Sequence, residues 1–131
     1  MELIIKTKIK MKKIVSLLLF FAVSMAFAQS KNARTSLVVD GVCGMCKERI
    51  EKASIKTKGV KSAIWNVETH ELKLIYNAKK ADLGEVKQNI LAVGHDVNDL
   101  KASDEAYNSV HACCRYRDEA VKDDHKKEKD Q

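Results

Sequence analysis

The sequence predicts one small α+β domain of order β-α-β-β-α-β, a ferredoxin-like split β-α-β with one antiparallel sheet and both helices on one face. Three observations lead there. A β-branched run at residues 35–39 gives way to a stretch at 45–56 whose apolar positions recur at helical spacing. Two alternating runs, 60–67 and 72–76, are separated by four residues. An amphipathic segment at 82–93 then ends at Gly94.

In the first strand Leu37 and Val39 share a face, and Asp40-Gly41 stops it. Cys46, Ile50 and Ala53 stripe the following Lys- and Glu-rich helix, which Gly59 closes. Ala63, Trp65 and Val67 line one arm of the hairpin and Leu72, Leu74 and Tyr76 the other, with Glu68-Thr69-His70-Glu71 as the link. Asp82 is expected to cap the second helix, with Glu85 as its reciprocal partner; Leu83, Val86, Ile90 and Val93 form the stripe and Gly94 the left-handed stop. An extended piece at 96–100 completes the sheet. Ile50, Trp65, Leu72, Leu74 and Ile90 are the expected core, small enough for a metal or a disulfide to matter to folding.

Both ends of the chain read differently from this domain. From Met11, two lysines precede an apolar run at 14–26 and the small-x-small triplet Ala26-Phe27-Ala28, the pattern of a secretory signal peptide cleaved after Ala28. The run falls short of the roughly 20 residues that span a bilayer, so no stable membrane insertion is expected after cleavage. No cysteine stands at the cut to carry a lipid. The ten residues ahead of Met11 precede a complete signal, which makes Met11 the expected start. The expected organisation is therefore 1–28 upstream extension and signal, 29–34 linker, 35–100 folded domain, 101–116 extension with two cysteines, and 117–131 a charged, disordered tail in which His125 is solvated. The expected location is periplasmic or secreted.

Loss of residues 1–28 removes Lys6, Lys8, Lys10, Lys12, Lys13 and Glu2, leaving 19 basic against 17 acidic side chains. The basicity of the whole chain, +6, thus lies largely in the signal. Charges of both signs are interspersed and aromatics are few, which argues against a nucleic-acid partner.

The chemistry lies in Gly41-Val42-Cys43-Gly44-Met45-Cys46, where the first strand meets the first helix. A C-x-x-C across a loop-to-helix turn presents two sulfurs to one ion at about 2.3 Å, since the second cysteine sits in the first turn with its Cβ tilted back toward the loop. Helix-start amides, with Lys47 nearby, favour thiolate, the form a soft cation needs. Two sulfurs alone leave Zn²⁺ two ligands short, whereas Cu(I), or Hg²⁺ as its mimic, accepts two-coordinate thiolate binding. A thioredoxin-type redox pair relies on a cis-proline, and the chain has no proline; a c-type haem site needs His after Cys46, where Lys47 stands. A Cys43–Cys46 disulfide closes a small, strained and easily reduced ring.

The run from Gly41 through Ala53, then Lys58-Gly59-Val60, Asn66-Val67-Glu68-Thr69 and Ala92-Val93-Gly94-His95-Asp96, resembles the heavy-metal-associated domain of copper chaperones, copper-ATPase N-terminal modules and the periplasmic mercury-binding protein. The resemblance covers residues 35–100. It implies the split β-α-β fold, Cys43 and Cys46 as metal ligands, copper(I) as the first-choice ion with mercury or zinc as alternatives, and transfer by thiolate exchange with a protein partner such as a metal-transporter domain, without catalysis. The family loop reads Gly-Met-x-Cys-x-x-Cys; here one residue is missing between Gly41 and Cys43, Val42 replaces the methionine, and Met45 lies inside the clamp. His95 occupies the loop that approaches the family's metal site and is a secondary candidate ligand; His70, on the hairpin link, is expected to be solvated.

The extension carries His111-Ala112-Cys113-Cys114 after a short amphipathic piece at 103–110, which Ser103 caps and Tyr107 and Val110 dock. Cys113 and Cys114 are open to three readings: a second metal half-site, a redox partner for the clamp, or a disulfide staple. Two function classes follow, an exported metal carrier and an envelope dithiol/disulfide redox protein.

Overall fold

The alternating apolar runs become three strands, β1 (Ala33–Val38), β2 (Val60–Trp65) and β3 (Glu71–Tyr76), in a computed structural model that describes residues 2–25 and 30–130. They form an antiparallel sheet of order β1-β3-β2. The register sets Leu37 and Trp65 on either side of Leu72, and Thr35 and Ala63 on either side of Leu74, so one face of the sheet is apolar but for Thr35. Two amphipathic helices cover it: α2 (Gly44–Ile55), burying Cys46, Ile50 and Ala53, and α3 (Leu83–Ala92), burying Val86 and Ile90. Full burial of Ile50, Leu72 and Ile90 contributes about 1.5–3 kcal/mol each. Arg49 Nη2 donates to Val93 O at 3.1 Å, a cation at the carbonyl end of α3 that ties the two helices together.

Ahead of the sheet, α1 (Glu2–Met25) leaves its described side chains exposed as far as Ser16. Among the described residues no helix is long and apolar enough to cross a membrane. The expected cleavage site, Ala26-Phe27-Ala28, and Gln29 beyond it lie outside the described residues.

The expected fourth strand at 96–100 is a single bridge. Val97 pairs with Val39, but Asn98, at φ 50°, turns the chain back so that Val97 pairs next with Leu100. Asn98 Oδ1 accepts from the Val38 amide and Asp96 Oδ1 from the Ala102 amide, so local side-chain bonds replace the ladder. Asp82 caps α3 as expected, accepting from Gly84 at 2.7 Å. Among the described residues Glu85 makes no bond back to Asp82.

Residues 101–116 pack into the same core. After α4 (Asp104–Asn108), capped by Ser103, a 3-10 turn (Ala112–Cys114) brings the two cysteines back, and Ala102, Val110, Cys114 and Tyr116 are buried. Gly94 allows this: at φ +95° its missing Cβ would stand 2.5 Å from Ala106 O and 2.6 Å from Val110 Cγ1. The Tyr116 hydroxyl donates to Gly94 O at 2.9 Å and accepts from the Asp96 amide at 2.9 Å. Arg117 pairs with Asp96 at 2.8 Å and lies over the Tyr107 ring.

The charged segment at 117–131, expected to be disordered, contains helix α5 (Glu119–Lys129). Its charges account for it. Asp118 caps it, Glu119 sits in the first turn, Lys126, Lys127 and Lys129 sit in the last, and Lys122–Glu119 and Lys126–Asp123 pair across one turn. His125, expected to be solvated, is instead half-buried and donates through Nε2 to Cys113 O at 2.9 Å.

Candidate metal centre

The tight turn from β1 into α2 decides where the first two sulfurs lie. A Cβ on Gly41 would approach Trp65 Cη2 to 2.9 Å and Cys46 Cβ to 3.0 Å, so only glycine lets the loop pass between indole and clamp. The indole Nε1–H in turn donates to Val39 O at 3.0 Å. Cys43 occupies the N-cap position of α2 in extended conformation, and Cys46 is in the helix's first turn.

Cys43 Sγ lies 3.4 Å from Cys46 Sγ and 3.3 Å from Cys114 Sγ. Cys113 Sγ is 3.8 Å from Cys114 Sγ, 3.5 Å from Met45 Sδ and 3.7 Å from His111 Nδ1. The sulfurs of Cys43, Cys113 and Cys114 all lie within 4.8 Å of one another. All four cysteines are free thiols. The clamp is therefore roofed by the extension.

Burial divides the four. Cys46 and Cys114 are fully buried, and Cys43 and Cys113 are half-exposed. Burial would raise the Cys43 pKa, but the Cys46 amide, the Cys114 and Cys46 thiols and the Met45 amide outweigh it, and the net shift is downward. Burial pushes Cys46 up, as does the neighbouring Cys43 sulfur. Burial pushes Cys114 up as well, reinforced by Cys43 and Cys46. The cluster thus holds one thiol made more acidic between two made less so, and a cation bound by all three displaces their protons.

Several sequence expectations change. Lys47, expected to favour thiolates, bonds Glu51 and donates to Trp65 O at 2.9 Å. His95 is fully buried and stacked on Tyr116; its Nδ1–H donates to Asp40 O at 2.8 Å, and its Nε2 is without a hydrogen-bond partner. Burial lowers its pKa, the Asp40 carbonyl opposes and the Arg49 charge reinforces. His95 is not in the sulfur group, whereas Met45 and His111 stand beside it. His70, expected to be solvated, is partly exposed but stacks on Trp65 and pairs with Asp40 at 3.5 Å.

No family model matches the sequence, and no curated protein matches it. Among solved structures the chain is similar to a CopZ metallochaperone, with 33% identity over 50% of this chain and 100% of that one, TM-score 0.49. It is similar to the N-terminal domain of a potential copper-translocating P-type ATPase from Bacillus subtilis in its Cu(I)-loaded state, with 26% identity over 51% of this chain and 85% of that one, TM-score 0.48. It is also similar to oxidized MerP from Ralstonia metallidurans CH34, with 20% identity over 51% of this chain and 94% of that one, TM-score 0.48.

Proposed function

The chain belongs to the heavy-metal-associated domain family, and on that premise we propose that it is an exported carrier of a soft metal ion, copper(I) first, with mercury or zinc as alternative cargo. The observation that carries the reading is the position of Cys43, whose sulfur meets the second sulfur of its own C-x-x-C at 3.4 Å at the start of α2. Helix-start amides favour its thiolate, and two adjacent sulfurs suit a d¹⁰ ion that forms strong bonds to few thiolates. The ion is cargo: it arrives from one thiolate site and leaves to another by ligand exchange, the receiving partner being a metal-transporter domain. Export rests on the signal pattern at 11–28.

A second reading, a dithiol/disulfide redox protein of the envelope, is favoured by one observation: Cys43 Sγ touches two free thiols, Cys46 and Cys114, either of which suits disulfide formation.

Elemental analysis separates the two. Reduced protein exposed to copper, zinc and mercury and then passed over a chelator retains one equivalent of Cu(I) or Hg²⁺ if it is a carrier, and Cys43→Ser loses it. A protein that cycles with thiol reagents and retains no ion under the same treatment is the redox protein.

A further inference from the structure

The extension brings two more sulfurs to the clamp, and they are built in rather than hung on. Cys114 is fully buried, the Tyr116 hydroxyl bonds that follow it reach Gly94 and Asp96, and His125 of α5 holds the Cys113 carbonyl. An ion held linearly between two sulfurs at about 2.3 Å needs them about 4.6 Å apart, and one in a trigonal plane needs about 4.0 Å. The Cys43–Cys46 and Cys43–Cys114 separations of 3.4 and 3.3 Å, and the Cys113–Cys114 separation of 3.8 Å, fall well short of the linear value, as suits an ion shared by more than two sulfurs. Cys43, Cys113 and Cys114 form a mutual group within 4.8 Å, close enough to share one ion, with the thioether of Met45 at its rim.

We propose that Cys43, Cys113 and Cys114 form a three-thiolate receiving site for the soft ion, from which the ion passes to buried Cys46 by exchange of a single sulfur. This rests on the carrier reading above and specifies how the cargo is held. The half-exposed sulfur of Cys113 is where an incoming complex first meets the cluster. In the inward step the bonds to Cys43 and Cys114 are kept, the bond to Cys46 forms and the bond to Cys113 breaks. The Cys46 thiol gives up its proton, the departing Cys113 thiolate takes one up, and neither the ion's oxidation state nor the charge of the site changes. Outward transfer runs the same step in reverse, so the ion is never left with fewer than two sulfurs.

The full chain, reduced and loaded with Cu(I) alone, gives the test by X-ray absorption at the copper edge and by competition with a copper(I) chelator. The wild-type protein is expected to show about three sulfur neighbours, and Cys114→Ser about two. Cys114→Ser should also lose at least tenfold in affinity, about 1.4 kcal/mol. Cys46→Ser is expected to keep one Cu(I) with about three sulfurs, which a simple C-x-x-C site cannot do. Cys113→Ser should load more slowly from the chelator complex. If the wild type binds copper through two sulfurs, Cys46→Ser loses it and Cys114→Ser keeps wild-type affinity, the carrier reading stands and this proposal falls. A wild type that retains no copper overturns both. Circular dichroism of the metal-free variants checks that Cys46→Ser and Cys114→Ser fold; if either does not, the wild-type sulfur count decides.

Discussion

Asp96→Asn should loosen the extension without removing an atom from the core. Oδ1 of Asp96 accepts from Arg117 Nη2 at 2.8 Å and from the Ala102 amide at 2.7 Å, and the side chain is 8% exposed. Burial would raise its pKa, but the Arg117 bond, the Ala102 amide and the Arg117 charge hold it below the ordinary carboxylate range. Stability from such a carboxylate is present above the unfolded pKa of about 3.9 and lost as pH falls through the lower folded value. Breaking one side of a fully buried pair costs about 3–5 kcal/mol; since Arg117 is 29% exposed and asparagine still accepts from Ala102, about 1–2 kcal/mol is expected here. For a domain of this size that lowers the melting temperature by about 5–10 °C. Thermal melts of reduced, metal-free protein at a series of pH values measure it. The two proteins should differ near neutral pH and converge on acidification. Equal melting temperatures at pH 7, or a gap that survives below the folded pKa of Asp96, would refute the reasoning.

Gly94→Ala forces a β-carbon into Ala106 O and Val110 Cγ1 at a backbone angle that L-residues avoid. It should cost at least about 2 kcal/mol and expose Cys114 to alkylation in the native protein, and an unchanged melt with Cys114 still protected would count against the packing described. The signal pattern implies a mature N-terminus at Gln29 on protein recovered outside the cytoplasm, so intact Met1 or Met11 on cytosolic protein would end the export reading.

The core was legible because it is made of apolar periodicity. Leu37, Val39, Ile50, Leu72, Leu74 and Ile90 are buried as their spacing requires. The clamp was legible because C-x-x-C at a strand-to-helix junction is a local pattern. The docking of the extension was not, since Asp96, Tyr116 and Arg117 hold it through polar contacts between residues about 20 positions apart, which no hydrophobic period reports. The fourth strand does not form because Asn98-Asp99 is a turn signal that outweighs the two aliphatics flanking it. Helix α5 was not legible in apolar surface, because it is specified by its Asp118 cap, by Glu119 in its first turn and by the lysines in its last.

With the ion held through Cys114 as proposed, those same polar contacts couple folding to cargo. Cys114 reaches Cys43 only while Tyr116 and Arg117 keep the segment down on Gly94 and Asp96. An ion bound through Cys114 therefore stabilises the docked extension by RT ln(1 + [L]/Kd), and undocking weakens binding in proportion to the fraction of chains left undocked. For Asp96→Asn the affinity falls where the extension opens separately from the rest of the domain and the variant leaves it open in an appreciable fraction of chains, although Asp96 is not itself in the sulfur group. If the extension opens only with global unfolding, the melt shifts and the affinity does not. A weaker affinity in a variant that also melts lower therefore shows that the roof over the clamp opens as a lid, apart from the core.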